Sequence, residues 1–443
     1  MRKALLALAL AGCASPRAQD PAKFGLGPIA REIFLPSPAD ALNGPVLEAA
    51  RAETPALLEL YKWFHANPEV SLKEEKTSER FAAEVKAAGW TVTERVGGFG
   101  VVAVLKNGEG PTVLARIDTD GLPVREETGL PYASTNGAMH ACGHDVHLAC
   151  GIGLARVLAK LRERWSGTVV LVGQPAEEIG LGAKMMLEDP KFHAAVPSKP
   201  VACIAIHDTP AFPAGTVAVC PGFAAANADT VDIRIFGRGG HGAWPHQTVD
   251  PVVIAAQLVL ALQTIVARKT NPLSPAVVSV GSIHGGSKHN IIPDEVALQL
   301  TVRSYDDQVR EKLLAEIRHL ALKTAEAHHA PKAPEIRMEP NYFPAVYHDP
   351  ELTERLRGVF VRLLGAENVK SATPAMGAED FGRFGKHWGV PVLQFNIGAA
   401  PAAWGDGPRP GLHSSKWAPD PEPTLRTGTA AFSRAVLDLL NRR

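Results

Sequence analysis

The sequence has no excess charge of either sign: 46 lysines and arginines stand against 46 aspartates and glutamates. With no long basic run either, it offers no electrostatic footprint for nucleic acid. Cysteine is scarce, at five in 443 residues (Cys13, Cys142, Cys150, Cys203 and Cys220). That number and spacing do not suggest a disulfide framework, although an exported chain could pair some of them. Beyond the N-terminus no stretch reads as a membrane span, and no internal repeat recurs. The 46% hydrophobic content is enough for a large buried core in two or three domains.

The first residues read as an address. Arg2 and Lys3 precede a short apolar stretch, Ala4 to Ala11, too short to cross a bilayer as a helix and of the size of a secretory signal. It closes on Leu10-Ala11-Gly12-Cys13, which resembles the lipobox of bacterial lipoproteins. The resemblance implies cleavage before Cys13, lipidation of that cysteine, and a periplasmic or cell-surface protein tied to the membrane only by this anchor. Ala14 rather than an aspartate follows, so retention at the inner membrane is not indicated. The alternatives are an ordinary signal peptide cut near Ala18 and a chance apolar start. Residues 1–18 are set aside as this signal, and 19–45, rich in proline and alanine, as a linker.

From Val46 the pattern is α/β. Apolar spacing predicts helices over Val46 to Ala66, Lys76 to Ala88 and Cys142 to Arg164, the last with small residues (Ala149, Gly151, Gly153, Ala155) along one side. Val101 to Val104, Thr112 to Ile117, Thr168 to Gly173 and Val201 to Ile206 read as strands, the latter pair apolar enough to be buried on both faces. The rhythm changes at Thr230, where Val231, Ile233 and Ile235 alternate with polar residues. Pro251 to Ala267, opened by Asp250 as a cap, and Asp306 to His328 read as helices. Val277 to Ile283, Val296 to Val302 and Glu335 to Met338 read as strands. Together they give a ferredoxin-like βαββαβ order. The α/β pattern resumes with Asp349 to Leu364, Val390 to Asn396 and Thr424 to Leu440. The expectation is a discontinuous catalytic domain (46–228 and 341–443), with a mostly parallel mixed sheet flanked by helices. It is interrupted by an α+β lid or dimerisation domain (229–340).

Polar clusters sit just past the apolar strands, where sites form in α/β sheets. They are ARIDTDGLPV with Asp118 and Asp120, MHACGHDVH with His140, Cys142, His144, Asp145 and His147, VGQPAEEIG with Glu177 and Glu178, and AIHDTP with His207. GLHSS, with His413, lies near the C-terminus. Taken singly, each has a plain structural explanation: a turn cap, a solvated charge pair, a small buried thiol. Taken together they are a donor set. Cys142 and His144 offer a soft and a borderline ligand in one tight turn, and Glu178, His207 and His413 add carboxylate and imidazole from separate loops. That mixture suits zinc, manganese, cobalt or nickel better than calcium or magnesium. Adjacent Glu177 and Glu178 can divide labour, one as ligand and the other as base toward a water acidified to a pKa of about 7 by the metal.

The runs FHANPEVSLKEEKT, RIDTDGLPVREETGLPY, GAMHACGHDVH, QPAEEIGLGAKMMLED, IHDTPAFPAGTV, GRGGHGAWPHQTVDP, HNIIPDEV, MGAEDF and LHSS follow one another from Phe64 to Ser415. In this order they resemble the family of hippurate hydrolases and auxin–amino-acid conjugate hydrolases, relatives of the co-catalytic metallo-exopeptidases. The resemblance covers about Leu57 to Leu440. It implies two divalent ions held by Cys142, His144, Glu178, His207 and His413, with Glu177 as general base and Asp118 and Asp120 as supporting carboxylates. It further implies that His241 of the small domain reaches a second subunit's site to steady the oxyanion, so that the lid makes a homodimer. Asn290 and Arg303 would contact substrate, Arg303 by its planar fork. Glu379 is read as site wall, His246 and His289 as structural or supporting, and His140 and His147 as flanking residues rather than ligands, either orienting the ligands or exposed. Thr119 and Gly121 depart from the residues relatives more often show around the two aspartates. Ser415, Lys416 and Trp417 depart after His413, which puts the pocket for the acyl group in doubt. The implied activity is hydrolysis of an N-acyl amino acid or similar amide. A dipeptidase or aminopeptidase acting on a free-amine substrate, and a non-catalytic metal-bound binding protein, are the alternatives.

Overall fold

The computed structural model describes residues 40–405 and 409–441. The signal segment with its lipobox at Cys13, and the linker up to residue 39, lie outside them. The first helix, Asp40–Ala66, begins inside the expected linker and runs through Pro45 and Pro55. Each proline removes a backbone donor, but Val46, Ala50, Leu57, Tyr61 and Phe64 are all fully buried along it, and packing of that face outweighs the loss.

An eight-stranded mixed sheet forms the larger core. Its strands lie in the order Thr91–Val96, Gly100–Asn107, Gly167–Gln174, Thr112–Asp118, Ala202–Pro213, Val392–Ala400, Val217–Val219 and Val369–Ser371. The four long strands in the middle are mutually parallel, so their carboxyl ends open on one edge. Helices cover both faces, as parallel sheets require. Val113 and Ala115 pack under Asp40–Ala66, His144–Lys160, Pro350–Leu364 and Pro421–Leu440. Leu114, between them, packs under Gly182–Glu188, Pro190–Ala195 and Gly382–Trp388. Small residues set how closely His144–Lys160 approaches: a Cβ on Gly153 would lie 2.5 Å from Thr429 Oγ1, and one on Gly151 3.1 Å from Ile117.

A second, four-stranded antiparallel sheet has the order Ala276–His284, Glu295–Ser304, Asn227–Phe236, Glu335–Met338. Helices Pro251–Thr264 and Asp307–Ala327 share its core with Val231, Ile233 and Ile235, the ferredoxin-like arrangement read from the alternation. Asp250 accepts a hydrogen bond from the Val252 amide at 2.9 Å, with Pro251 opening the helix. By length and composition Pro251–Lys269 is apolar enough to cross a membrane, which the sequence reading did not credit. One side packs on this sheet, while Val252, Val253, Leu260 and Val266 are exposed.

Two boundaries move the site. The strand expected to stop before His207 continues to Pro213, because it pairs in parallel with Val392–Ala400 from Val392↔Cys203 to Ala400↔Pro213. The helix expected from Cys142 starts only at His144, since Gly143 is left-handed (φ 77°), and it ends at Lys160 before a separate turn at Arg162–Arg164.

Candidate metal centre

The parallel strands deliver the donors. Thr112–Asp118 ends on Asp118, Gly167–Gln174 leads into the turn with Glu177 and Glu178, and Ala202–Pro213 carries His207. Cys142 and His144 flank Gly143, where a Cβ would sit 2.1 Å from Asp208 Oδ1. Only glycine combines that approach with a positive φ. His413 closes the group from a loop in which it is itself left-handed, at φ 67°.

These side chains converge. Donor atoms of Cys142, His144 and His207 lie within 4.8 Å of one another, as do those of Cys142, Glu178 and His413, and those of His144, Glu177 and Glu178. Cys142 Sγ is 3.6 Å from His207 Nε2, His144 Nε2 is 3.9 Å from Glu178 Oε1, and His413 Nε2 is 3.5 Å from Glu178 Oε2. His144 Nδ1 donates to the Asp120 carbonyl at 2.8 Å, and His207 Nδ1 to the Asp208 carbonyl at 2.7 Å. In the neutral ring each Nε2 then turns its lone pair toward the other donors. His144 Nε2 and Glu178 Oε1 are buried with no hydrogen-bond partner, an expensive state for polar atoms that a cation between them removes.

The electrostatics point the same way. Burial pushes Glu177 well above the usual carboxylate range, and Glu379, Glu178 and Asp380 push it further against the pull of Arg116. Burial, with Glu178 and Glu177, likewise raises the Cys142 thiol. On His144 burial opposes charge, but Asp118, Asp120 and Glu178 outweigh it and raise the ring to about 10. These are the marks of a buried anionic cluster short of positive charge. A pocket of about 340 Å³ opens on it, lined among others by Cys142, Glu177, Glu178, His207, Asn396 and His413. A larger cavity of about 420 Å³ lies between Phe223, Lys269 and Tyr305, away from every donor named above. The chemistry therefore belongs to the smaller one.

Residues 114–438 match the model of peptidase family M20/M25/M40. The chain belongs to this family. It is 35% identical over 392 residues to thermostable carboxypeptidase 2 of Saccharolobus solfataricus, covering 87% of this chain and 96% of that one. It is 34% identical over 332 residues to the IAA-amino acid hydrolase ILR1-like 2 of Arabidopsis thaliana, covering 74% of each. The crystal structure of the YXEP protein of Bacillus subtilis, a dinuclear metal binding peptidase from the M20 family, is similar with a TM-score of 0.71 at 28% identity, covering 87% of this chain and 99% of that one. Further relatives from Bacillus subtilis are named N-acetylcysteine deacetylases. As a member of the M20/M25/M40 family the chain is a metal-dependent amidohydrolase or peptidase.

Not every residue singled out in this M20/M25/M40 chain reaches the pocket. His241 and Asn290 are neighbours on an exposed two-stranded ribbon, with the Gly242 amide donating to the Asn290 carbonyl at 2.9 Å. Arg303 lies within Glu295–Ser304, its Nε donating to Thr301 Oγ1 at 3.0 Å. None of the three lines the pocket of their own chain. Trp417 is wholly buried against Met139, Ala141 and Ala399 and does not line the pocket. Glu379 lines the pocket, but its oxygens are engaged by Arg116 Nη2 (2.9 Å), Gln394 Nε2 (2.6 Å) and the Phe381 amide (2.8 Å).

Of the two readings of His147, the structure supports the orienting one over exposure: it is buried, its Nδ1 donates to Asp118 Oδ1 at 2.5 Å and its Nε2 accepts from the Asp208 amide at 2.8 Å, so both nitrogens are occupied. Its place one helical turn after His144 was the available signal. Arg116 is fully buried and ties Asp118 (2.6 Å), Glu379 and Asp380 (3.3 Å) together behind Glu177. His140 is buried with neither ring nitrogen partnered.

Proposed function

We propose that the chain hydrolyses the amide bond of N-acyl amino acids or similar conjugates, with two divalent ions (zinc, manganese, cobalt or nickel) held by Cys142, His144, Glu178, His207 and His413. The observation that carries this reading is the pair of buried, unpartnered atoms, His144 Nε2 and Glu178 Oε1, aimed at each other across 3.9 Å beside Glu177. Bound ions supply the charge that polarises the amide carbonyl and acidifies water. Glu177 then takes the proton as the water oxygen bonds to the carbonyl carbon, and returns it to the nitrogen as the C–N bond breaks. Asp118 and Asp120 orient His147 and His144, through a carboxylate and a main-chain carbonyl respectively.

Retention of every donor and of Glu177 argues against a non-catalytic binding protein. A free-amine peptidase substrate needs a carboxylate to receive its ammonium. Of the two pocket carboxylates outside the donor cluster, Glu379 is already committed to Arg116, and Asp208 is fully buried beside His147 and His207. This favours the acylated substrate. A role for His241 and Asn290 requires a second copy of the chain to present their two-stranded ribbon, and the exposed apolar side of Pro251–Lys269 gives such a homodimer a surface to form on.

The test is a screen of metal-loaded protein against N-acyl amino acids and dipeptides, with metal analysis of the same sample. Glu177→Gln should keep its metal and lose about a hundredfold or more in kcat, the range of general acid–base catalysis. Wild-type rates in that variant would sink the base assignment, and no turnover on either set would revive the binding protein. We further propose export and lipid anchoring through Cys13; Cys13→Ala should release the protein from membranes, and unchanged fractionation refutes the anchor.

A further inference from the structure

The turn that carries Glu177 and Glu178 is held by its own main chain. Ala176 is left-handed at φ 50°, a costly conformation for a residue with a Cβ. Three successive amides from it onward each donate to a buried carboxylate. Ala176 N reaches Glu74 Oε1 at 2.8 Å, Glu177 N reaches Asp120 Oδ1 at 3.2 Å, and Glu178 N reaches Asp120 Oδ2 at 3.1 Å. Ser71 Oγ fixes Asp120 from the far side at 2.6 Å. Glu74 is fully buried. Its Oε1 also accepts the Leu72 amide at 3.0 Å, so one oxygen joins the N-terminal loop to a turn 102 residues away. Its Oε2 is buried without a partner. Glu74 forms no ion pair among the described residues and precedes the span matched by the family model.

We infer that Glu74 is a positioning residue of the metal centre: by holding the Ala176 amide it fixes the left-handed turn that projects Glu177 and Glu178 together into the pocket. The inference rests on the roles proposed above for those two glutamates. The geometry asks for one acceptor oxygen at full side-chain length, not for a charge, since Oε1 serves both amides and Oε2 serves none. Glutamine meets that requirement. Aspartate is a methylene too short, and alanine leaves the Ala176 amide buried and unpaired, which removes the reason for the turn to stay left-handed.

The test compares full-length wild type, Glu74→Gln, Glu74→Asp and Glu74→Ala. It measures Zn²⁺ affinity by chelator competition, kcat and KM on the amide that wild type cleaves best, and hydrogen exchange of the peptide spanning Ala176 in metal-free protein. The Ala and Asp variants should bind Zn²⁺ about tenfold more weakly, the factor a lost buried hydrogen bond carries. They should lose at least that factor in kcat with little change in KM, and exchange the turn amides faster. Glu74→Gln should match wild type on all three. A folded Ala variant with wild-type affinity, kcat and protection overturns the inference, as does a Gln variant as impaired as Ala. If the Ala variant does not fold, a folded Asp variant indistinguishable from wild type overturns it equally. Wild type that neither binds Zn²⁺ nor cleaves an amide defeats the parent reading and this one with it. Wild type that does both, matched by Glu74→Ala, defeats this one alone.

Discussion

Raising the pH should loosen a clamp at the end of the first helix. His65 Nδ1 lies 2.7 Å from Asp145 Oδ2 and its Nε2 2.9 Å from Glu126 Oε1, with all three side chains buried. A ring that donates from both nitrogens is an imidazolium. Burial opposes that charge, but the hydrogen bonds to Asp145 and Glu126 outweigh it and lift His65 from 6.5 to about 9. A histidine raised on folding contributes stability that is complete below its unfolded pKa and is lost as pH climbs through the folded one. Moving from 6.5 to about 9 is worth about 3 kcal/mol, a sizeable share of a domain's net stability of about 5–15 kcal/mol. The assay is urea unfolding of wild type and His65→Gln across this range at fixed metal content. The Gln variant does not titrate, and subtraction removes every group the two proteins share. The wild-type advantage should shrink by about 3 kcal/mol between pH 6.5 and pH 9 or slightly above. Asp145 and Glu126 are both held below the usual carboxylate range, against burial, by His65, so the advantage should also fall in acid. A gap that stays constant from neutral to alkaline pH refutes the doubly bonded imidazolium.

Three further outcomes are expected. Gly143→Ala places a Cβ 2.1 Å from Asp208 Oδ1 at a positive φ; the folded variant should lose bound metal and about a hundredfold in kcat/KM, read by metal analysis and kinetics. Arg116→Met leaves Asp118, Glu379 and Asp380 buried without their guanidinium and should cost about 3–5 kcal/mol in urea. Adding Glu379→Gln should return part of that loss, and strict additivity of the two would contradict the network. Leu260→Asp, on the exposed side of Pro251–Lys269 where Leu260 is 72% exposed, should convert the proposed dimer to a monomer in light scattering and lower kcat by withdrawing the second copy's ribbon; an unchanged mass removes that surface from consideration.

What was legible in the sequence followed from local pattern. Alternation at Val231, Ile233 and Ile235 and the Asp250-Pro251 cap gave the second sheet and its helix, because strand period and capping are local properties. The converging side chains Cys142, His144, Glu178, His207 and His413 could be picked out because their residue types stand in short polar runs, and the fold brings them together. Glu74 was not: in SLKEEKT it looks like part of a solvated charge run, and only the fold brings it to Ala176. Arg116 was hidden the same way, as a charged residue within an apolar strand whose partners Glu379 and Asp380 come from the other end of the chain. The missed strand extension past His207 depended on pairing with Val392–Ala400, a contact no window of neighbouring residues contains.

The spacing of the donors has a consequence for how the protein matures. Cys142 and Glu178 lie in the first part of an interrupted domain and His413 in the second, with the entire ferredoxin-like unit translated between them. A nascent chain can offer Cys142 and His144, but not the whole of the proposed ligand set. Metal capture by the proposed set is therefore a late event that reports a finished fold. By mass action each ion bound then deepens the native well it required. Ion selection by the proposed set is thus postponed until folding ends, and a chain arrested before His413 emerges holds no complete set for the wrong ion to occupy.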